Sequence, residues 1–75
     1  MKIDATGLLC PEPIMMLHKA IQESEDGALI ELLSTDPSTE RDIIKFCDFL
    51  GHTLIDKKIE SEVSSFIIRR KSKLK

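Results

Sequence analysis

Cys10 stands in the run Leu8-Leu9-Cys10-Pro11-Glu12-Pro13, and a cysteine placed just before a proline-started helix is a candidate nucleophile. The first N–H groups of a helix have no intrahelical acceptors, and the aligned peptide dipoles place partial positive charge there, which favours a thiolate over a thiol. Pro11 suits the first helical position, because its fixed φ fits a helix and the N–H it lacks would be unpaired there. The spacing therefore predicts Cys10 at the N-cap. Pro13 removes one donor, leaving the N–H groups of Glu12 and Ile14 to face the sulfur. The Glu12 carboxylate works the other way, so the net expectation is a modestly lowered thiol pKa. By residue type alone a cysteine is commonly a small buried hydrophobe, but the Pro-x-Pro bracket favours the reactive reading.

A lone activated thiol serves as an acyl-transfer nucleophile, a redox thiol or a covalent carrier. Acyl transfer needs a base within hydrogen-bond reach and an oxyanion site. The only histidines are His18 and His52, and no local pattern places either beside Cys10. A thioredoxin-type thiol needs a resolving cysteine, normally Cys-x-x-Cys, and Pro13 occupies that position. Cys47 is far along the chain and reads as a core residue, so dithiol cycling would require local unfolding. No pair among the cysteines and histidines has zinc-ligand spacing, and Gly7, Gly27 and Gly51 are isolated turn or cap residues, unlike a phosphate-binding loop. No metal or cofactor is expected. A covalent carrier asks only for an accessible sulfur on a rigid helix end and a surface that partners can recognise in turn.

The elements that must position Cys10 follow from periodicity. Lys2 to Ala5 reads as a short strand ending at Gly7, and a first helix runs from Pro11 to about Ser24, closed by Glu25-Asp26-Gly27. Ile14, Leu17 and Ile21 share one face of it, with Ala20 and His18 on the flanks. Met15 and Met16 fall off that stripe and are predicted to be partly exposed within one turn of Cys10. Two readings of them stand: an adaptable docking surface, or the exposed apolar residues any small domain carries. Ala28 to Ser34 reads as an inner strand. Asp36 as N-cap and Pro37 at the first helical position start a second helix. Thr39, Ile43, Phe46, Cys47 and Leu50 form its buried face, and Gly51 stops it. Thr53 to Ile59 and Ser64 to Arg70 form a final hairpin. The order βαβαββ implies an α/β (α+β) two-layer sandwich, a four-stranded mixed sheet with both helices on one face. Right-handed crossovers make the first two connections parallel and the last hairpin antiparallel.

Seventy-five residues make a single domain, expected over residues 1–70. A domain this small buries only roughly 60–65% of its unfolded surface, so a large enclosed cofactor pocket is not expected. The formal charge is −2, and the whole domain is not built to hold polyanions. Arg69, Arg70, Lys71, Lys73 and Lys75 nonetheless make a basic C-terminus. Residues 71–75 are expected to be a frayed tail, with docking on an acidic partner or RNA as the other reading. The two cysteines do not form a secreted disulfide framework, and neither a secretory nor a membrane-spanning apolar run is present. A reducing cytoplasm is expected.

Asp4-Ala5-Thr6-Gly7-Leu8-Leu9-Cys10-Pro11-Glu12-Pro13-Ile14-Met15-Met16 resembles the start of the TusA (SirA-like) sulfur-carrier family, whose signature is Cys-Pro-x-Pro at the opening of the first helix. Asp36-Pro37-Ser38-Thr39-Glu40-Arg41-Asp42-Ile43 followed by Phe46-Cys47 resembles the family's second segment, and the pattern runs from about Lys2 to Arg70. The resemblance implies a fold shared with the C-terminal domain of translation initiation factor 3. It also implies a carrier that takes sulfane sulfur as a persulfide on Cys10 from a cysteine desulfurase and hands it to a relay protein or complex. In bacterial TusA that relay ends in 2-thiolation of the wobble uridine of certain tRNAs. Relatives feed sulfur oxidation or cofactor synthesis, so the final acceptor stays open. Pro11, Glu12 and Pro13 are then site-shaping residues, and Met15, Met16 and Arg41 are candidates for partner docking. Such a carrier is loaded and discharged stoichiometrically, without stand-alone turnover. Two readings from other classes remain: a redox sensor forming a mixed disulfide at Cys10, and an RNA-binding module using the basic tail. With three aromatics, all Phe, the chain lacks a stacking platform for RNA, and direct tRNA binding is not expected.

Overall fold

A computed structural model describes residues 1–72. The elements are β1 (Lys2–Ala5), α1 (Glu12–Glu23), β2 (Leu29–Ser34), α2 (Thr39–Leu50), β3 (Thr53–Ile59) and β4 (Ser64–Arg69), in the predicted βαβαββ order. β1 pairs parallel with β2, and β4 pairs antiparallel with both β2 and β3, giving the spatial order β1-β2-β4-β3. The last hairpin thus folds back so that β4 lies between β2 and β3. β2 and β3 run in the same direction without touching, as a crossover through α2 requires.

The core lies between the inner sheet face and the helices. Ile3 and Ala5 of β1, Ile30 and Leu32 of β2, and Phe66 and Ile68 of β4 are buried, each two residues apart along its strand. Ile30 sits opposite Ile68 and Leu32 opposite Phe66 in the β2–β4 register, so the cross-strand neighbours form two apolar rows. Onto these rows α1 lays Pro13, Leu17, Ala20 and Ile21, and α2 lays Thr39, Ile43 and Cys47. At the first turn of α1 the stripe differs from the expected one: Pro13 is fully buried, whereas Ile14 is half-buried and faces a groove between the helices. The β3 edge is exposed except for half-buried Leu54, and it is blunted by Asp56, Lys57 and Lys58 and by an irregularity between Leu54 and Asp56.

α2 starts later than its sequence suggests. Asp36 was expected to be the N-cap, but the helix begins at Thr39 with Ser38 in the capping position. Asp36 and Pro37 instead form a turn. The Asp36 carbonyl accepts the Thr39 N–H at 3.0 Å, and its Oδ1 accepts both the N–H and the hydroxyl of Ser38 at 3.0 Å. Asp36 still supplies the acceptor that organises this helix start, as an Asx turn one step earlier. Beneath it the buried Ser34 Oγ and Thr39 Oγ1 share a hydrogen bond of 2.7 Å, and Ser34 Oγ also accepts the Asp36 N–H at 3.1 Å. At the other end Gly51 takes φ 83° and its N–H donates to the Cys47 carbonyl at 2.8 Å, the left-handed stop that glycine allows.

The C-terminal strand is anchored past its last ladder bond. The Arg70 N–H donates to the Ala28 carbonyl at 2.9 Å, its carbonyl accepts the Gly27 N–H at 3.1 Å, and its guanidinium donates to the Ser24 carbonyl. In the segment expected to fray, the Lys71 N–H donates to His52 Nδ1 at 3.0 Å, while residues 73–75 lie outside the described residues. Among the described residues no helix is long and apolar enough to cross a membrane.

The two extremes of phenylalanine environment give a direct test of where the core sits. Phe66 is 1% exposed and Phe49 is 88% exposed. Phe66→Ala is expected to cost about 3–5 kcal/mol, a large part of the stability of a small domain. Phe49→Ala is expected to change stability by less than about 0.5 kcal/mol. Urea unfolding of the two variants followed by circular dichroism measures both.

Candidate functional site

β1 and β2 run parallel, so the loops that leave their carboxyl ends emerge side by side. The first carries Cys10 and the second carries Asp36. Hydrogen bonds tie the loops together: the Gly7 N–H donates to Thr35 Oγ1 at 2.8 Å, and the Cys10 N–H donates to Asp36 Oδ2 at 2.7 Å. The first loop is also closed on itself, through Leu8 N–H to the Ala5 carbonyl at 3.2 Å and Glu12 N–H to the Leu9 carbonyl at 2.9 Å. The Cys10–Pro11 peptide bond, inside that second turn, is cis.

This local geometry corrects the expected placement of the thiol. α1 begins at Glu12 with Pro11 as its capping residue, so Cys10 precedes the N-cap instead of occupying it. The Glu12 N–H is taken by the Leu9 carbonyl and does not serve the sulfur. The partner of the sulfur is Asp42, in the first turn of α2: Cys10 Sγ–H donates to Asp42 Oδ2 at 3.2 Å. The thiol pKa is consequently raised above its ordinary value. The hydrogen bond to Asp42 is the main cause, followed by desolvation and by the negative charges of Asp42 and Asp36, against a smaller opposing contribution from the Ser38 hydroxyl. The expected lowering is thus reversed, because a carboxylate accepts the thiol hydrogen where helix N–H groups were expected to stabilise its anion. Asp36 shifts in the opposite direction. The Ser38 N–H, then the Cys10 N–H and the Ser38 hydroxyl, hold its carboxyl below the usual carboxylate range.

Asp42 was not singled out from the sequence. Its distance of 32 residues from Cys10 hides the contact. The usable signal was the combination of a parallel crossover, which aligns the two loops, with an acidic residue in the first turn of the second helix. Along α2, Asp42, Lys45, Phe46 and Phe49 follow i, i+3, i+4, i+7 spacing and form one stripe. With Pro11 and Ile14 they line a hollow of ≈ 340 Å³, which adjoins a second of ≈ 510 Å³ bounded by Ile14, Met15, His18, Phe46 and Phe49 among others. An apolar groove therefore leads away from the thiol between the two helices.

The remaining sequence candidates are distributed around this centre. Cys10 is exposed and Cys47 is buried, both as free thiols. Pro11 lines the groove and Glu12 is exposed, whereas Pro13 supports the helix start from within the core. Met15 is 61% exposed on the groove, and Met16 is 36% exposed in a separate hollow beside β1. Arg41 projects outward with Nε 3.8 Å from Asp42 Oδ1. His18 is not brought to Cys10: it pairs with Gln22 at 3.2 Å and packs edge-on against Phe46, whose other ring neighbour is His52. Among the described residues no group of His, Cys, Asp and Glu is arranged to hold a metal ion.

Comparison with known proteins places this geometry in a family context. The family model described as Sulfurtransferase TusA matches residues 1–70. The sulfur carrier protein TusA of Pseudomonas paraeruginosa is 50% identical over 70 residues, spanning 93% of this chain and 89% of that protein. The protein of the same name from Pseudomonas entomophila is 51% identical over 70 residues, spanning 93% and 88%. The crystal structure of the SirA-like protein from Desulfitobacterium hafniense matches the fold with a TM-score of 0.81 at 23% identity, over 95% of this chain and 97% of that one.

Two measurements check the electrostatics of the site. Iodoacetamide at neutral pH is expected to label Cys10 alone, and more slowly than a cysteine in an unstructured peptide, with Cys47 labelled only after denaturation. Labelling of Cys10 faster than the peptide would contradict the raised thiol pKa. Because the Asp36 carboxyl is lowered on folding, its contribution to stability is present above the unfolded carboxyl pKa of about 3.9 and is lost as pH falls through the lower folded value. Asp36→Asn is therefore expected to flatten the acid limb of the stability curve, measured by urea unfolding across pH.

Proposed function

As a member of the TusA family of sulfur carriers, this chain is proposed by us to carry sulfane sulfur as a persulfide on Cys10. The supporting observation is the placement of that sulfur: an exposed free thiol, held by its backbone N–H on a fixed loop, at the mouth of an apolar groove. The chemistry is an exchange between sulfurs. The Cys10 sulfur attacks the outer sulfur of the donor's persulfide, a new S–S bond forms, and the old one breaks. The donor sulfur leaves with the electron pair and recovers a proton as a thiol. No oxidant is consumed.

We assign the donor role to a cysteine desulfurase and the acceptor role to a downstream relay protein leading to 2-thiolation of wobble uridine in tRNA. Sulfur oxidation and cofactor synthesis are the competing destinations, decided by which acceptor discharges the loaded carrier. Docking is assigned to the groove, which Met15 and Phe49 line, together with Arg41 beside Asp42 and Met16 in the separate hollow beside β1. Long, unbranched methionine side chains and one exposed ring adapt to two different partners in turn. The reading needs no catalytic base, in keeping with the placement of both histidines around Phe46 and away from the sulfur. It also needs no second thiol, and Cys47 faces the core.

Incubation with a cysteine desulfurase and cysteine, without reductant, tests the reading by intact mass. The native chain is expected to gain one sulfur atom that dithiothreitol removes, and Cys10→Ala is expected to gain none. Loading of the alanine variant, or no loading of the native chain by any of several desulfurases, would overturn it.

A further inference from the structure

Loading changes the charge at the end of the Cys10 side chain, and Asp42 is the group placed to respond. In the unloaded state Sγ–H donates to Asp42 Oδ2 at 3.2 Å. A persulfide is a stronger acid than the thiol from which it forms, so at neutral pH loading replaces a neutral hydrogen-bond donor with an anion. That anion has no hydrogen to offer Asp42 and meets its negative charge. Asp36, across the same loop pair, adds a second carboxylate, since its Oδ2 lies 2.7 Å from the Cys10 N.

We propose that Asp42 is a positioning residue that holds the unloaded sulfur inward as a thiol and repels the loaded persulfide, so that loading itself turns the sulfane sulfur outward and primes it for release. The inference rests on the carrier reading of Cys10 and adds a direction to it. In discharge, an acceptor thiolate attacks the outer sulfur and the S–S bond to Cys10 breaks. The Cys10 sulfur takes the electron pair and then a proton. That proton restores the hydrogen bond to Asp42, which favours the discharged carrier. Asp42 thus works against tight retention of cargo, as a relay requires. It needs no displacement of the backbone, because the Cys10 N–H stays on Asp36 whatever the sulfur carries.

The charged and polar groups facing this site are few among the described residues. Asp36 and the Ser38 hydroxyl come from the turn before α2, and Arg41 lies 3.8 Å from Asp42 Oδ1 on the outer side. Lys45 shares the groove wall with Asp42, and Glu12 follows two residues after Cys10. The two cations moderate the repulsion without lying between Asp42 and the sulfur in the hydrogen-bonded arrangement.

The test equilibrates the full chain with glutathione persulfide and glutathione, reading the loaded fraction by intact mass from about pH 5 to about pH 8. Asp42→Asn is expected to retain sulfur roughly five- to tenfold more tightly at neutral pH, the order expected for one unit charge met near 4 Å at a solvent-exposed site. The difference is expected to narrow toward acid pH, where the persulfide is protonated, and Asp42→Glu is expected to restore the native partition. Iodoacetamide should label the unloaded Asp42→Asn thiol faster than the native one. A change through structure alone would be the same at every pH and would not be rescued by Glu. Loading of the native chain with an equal or weaker hold on sulfur in Asp42→Asn would overturn this inference alone. Failure of the native chain to load would overturn the carrier reading and this inference with it.

Discussion

The hydrogen bond from the Cys10 N–H to Asp36 Oδ2 joins two loops whose residues are 26 positions apart. It forms because β1 and β2 are parallel neighbours, each followed by a helix on the same side of the sheet. A parallel pair sends both chain exits to one edge, so whatever the two loops carry is brought together. The same carboxylate also sets the turn into α2 by accepting the N–H and the hydroxyl of Ser38. One side chain therefore fixes the thiol loop against the helix that supplies Asp42. Without that joint the loops would still be tied through Gly7 and Thr35, but the Cys10 backbone would lose its own link to the turn that starts α2.

The electrostatics at this edge favour control over reactivity. A cysteine that must attack quickly and unaided is usually placed by cations or by helix N–H groups. Here the nearest charges are carboxylates, and the thiol is held in its protonated form. A carrier tolerates this, because it acts only when a partner presents a reactive sulfur, and a resting thiol kept neutral is less open to stray alkylation or oxidation. A run of basic residues also lies away from this edge. Arg69, Arg70 and Lys71 line a hollow with Gly27 and Gly51, at the end of α2 opposite to Asp42.

Much of the architecture was legible from periodicity. The nearly continuous apolar run from Ala28 to Ser34 marked an inner strand, which stands as Leu29–Ser34, and of the face predicted for α2 Thr39, Ile43 and Cys47 are buried while Phe46 and Leu50 are half-buried at its edge. Cys10 was legible from its flanking prolines. The late start of α2 was not, since Asp36 has two carboxylate oxygens and a local pattern accounts for only the one that turns back to Ser38. The second reaches across to Cys10, a contact visible only once the strands are paired. The pKa direction was misread for the same reason: helix-terminus reasoning counts donors on α1, and the decisive acceptor is on α2. Pro13 was read as a site-shaping residue off the buried stripe of α1, and its ring is buried, because the first turn of α1 leans on the sheet there.

α2 serves the core and the site at once, and its helical period keeps the tasks apart. Cys47 follows Asp42 by five residues, roughly 140° around the helix, so one faces the core while the other faces the thiol loop. That separation sets the chemistry open to the two cysteines. With Cys47 held at 4% exposure beneath the sheet-facing stripe, an oxidised Cys10 finds no resolving partner without opening the core. On the carrier reading proposed above, sulfur bound to Cys10 is protected in the same way, since an internal thiol within reach would strip it off by forming a disulfide and releasing the outer sulfur. On that reading, burial of the second thiol is a requirement of carrying sulfur on the first, met here by a change of helix face and not by loss of the residue.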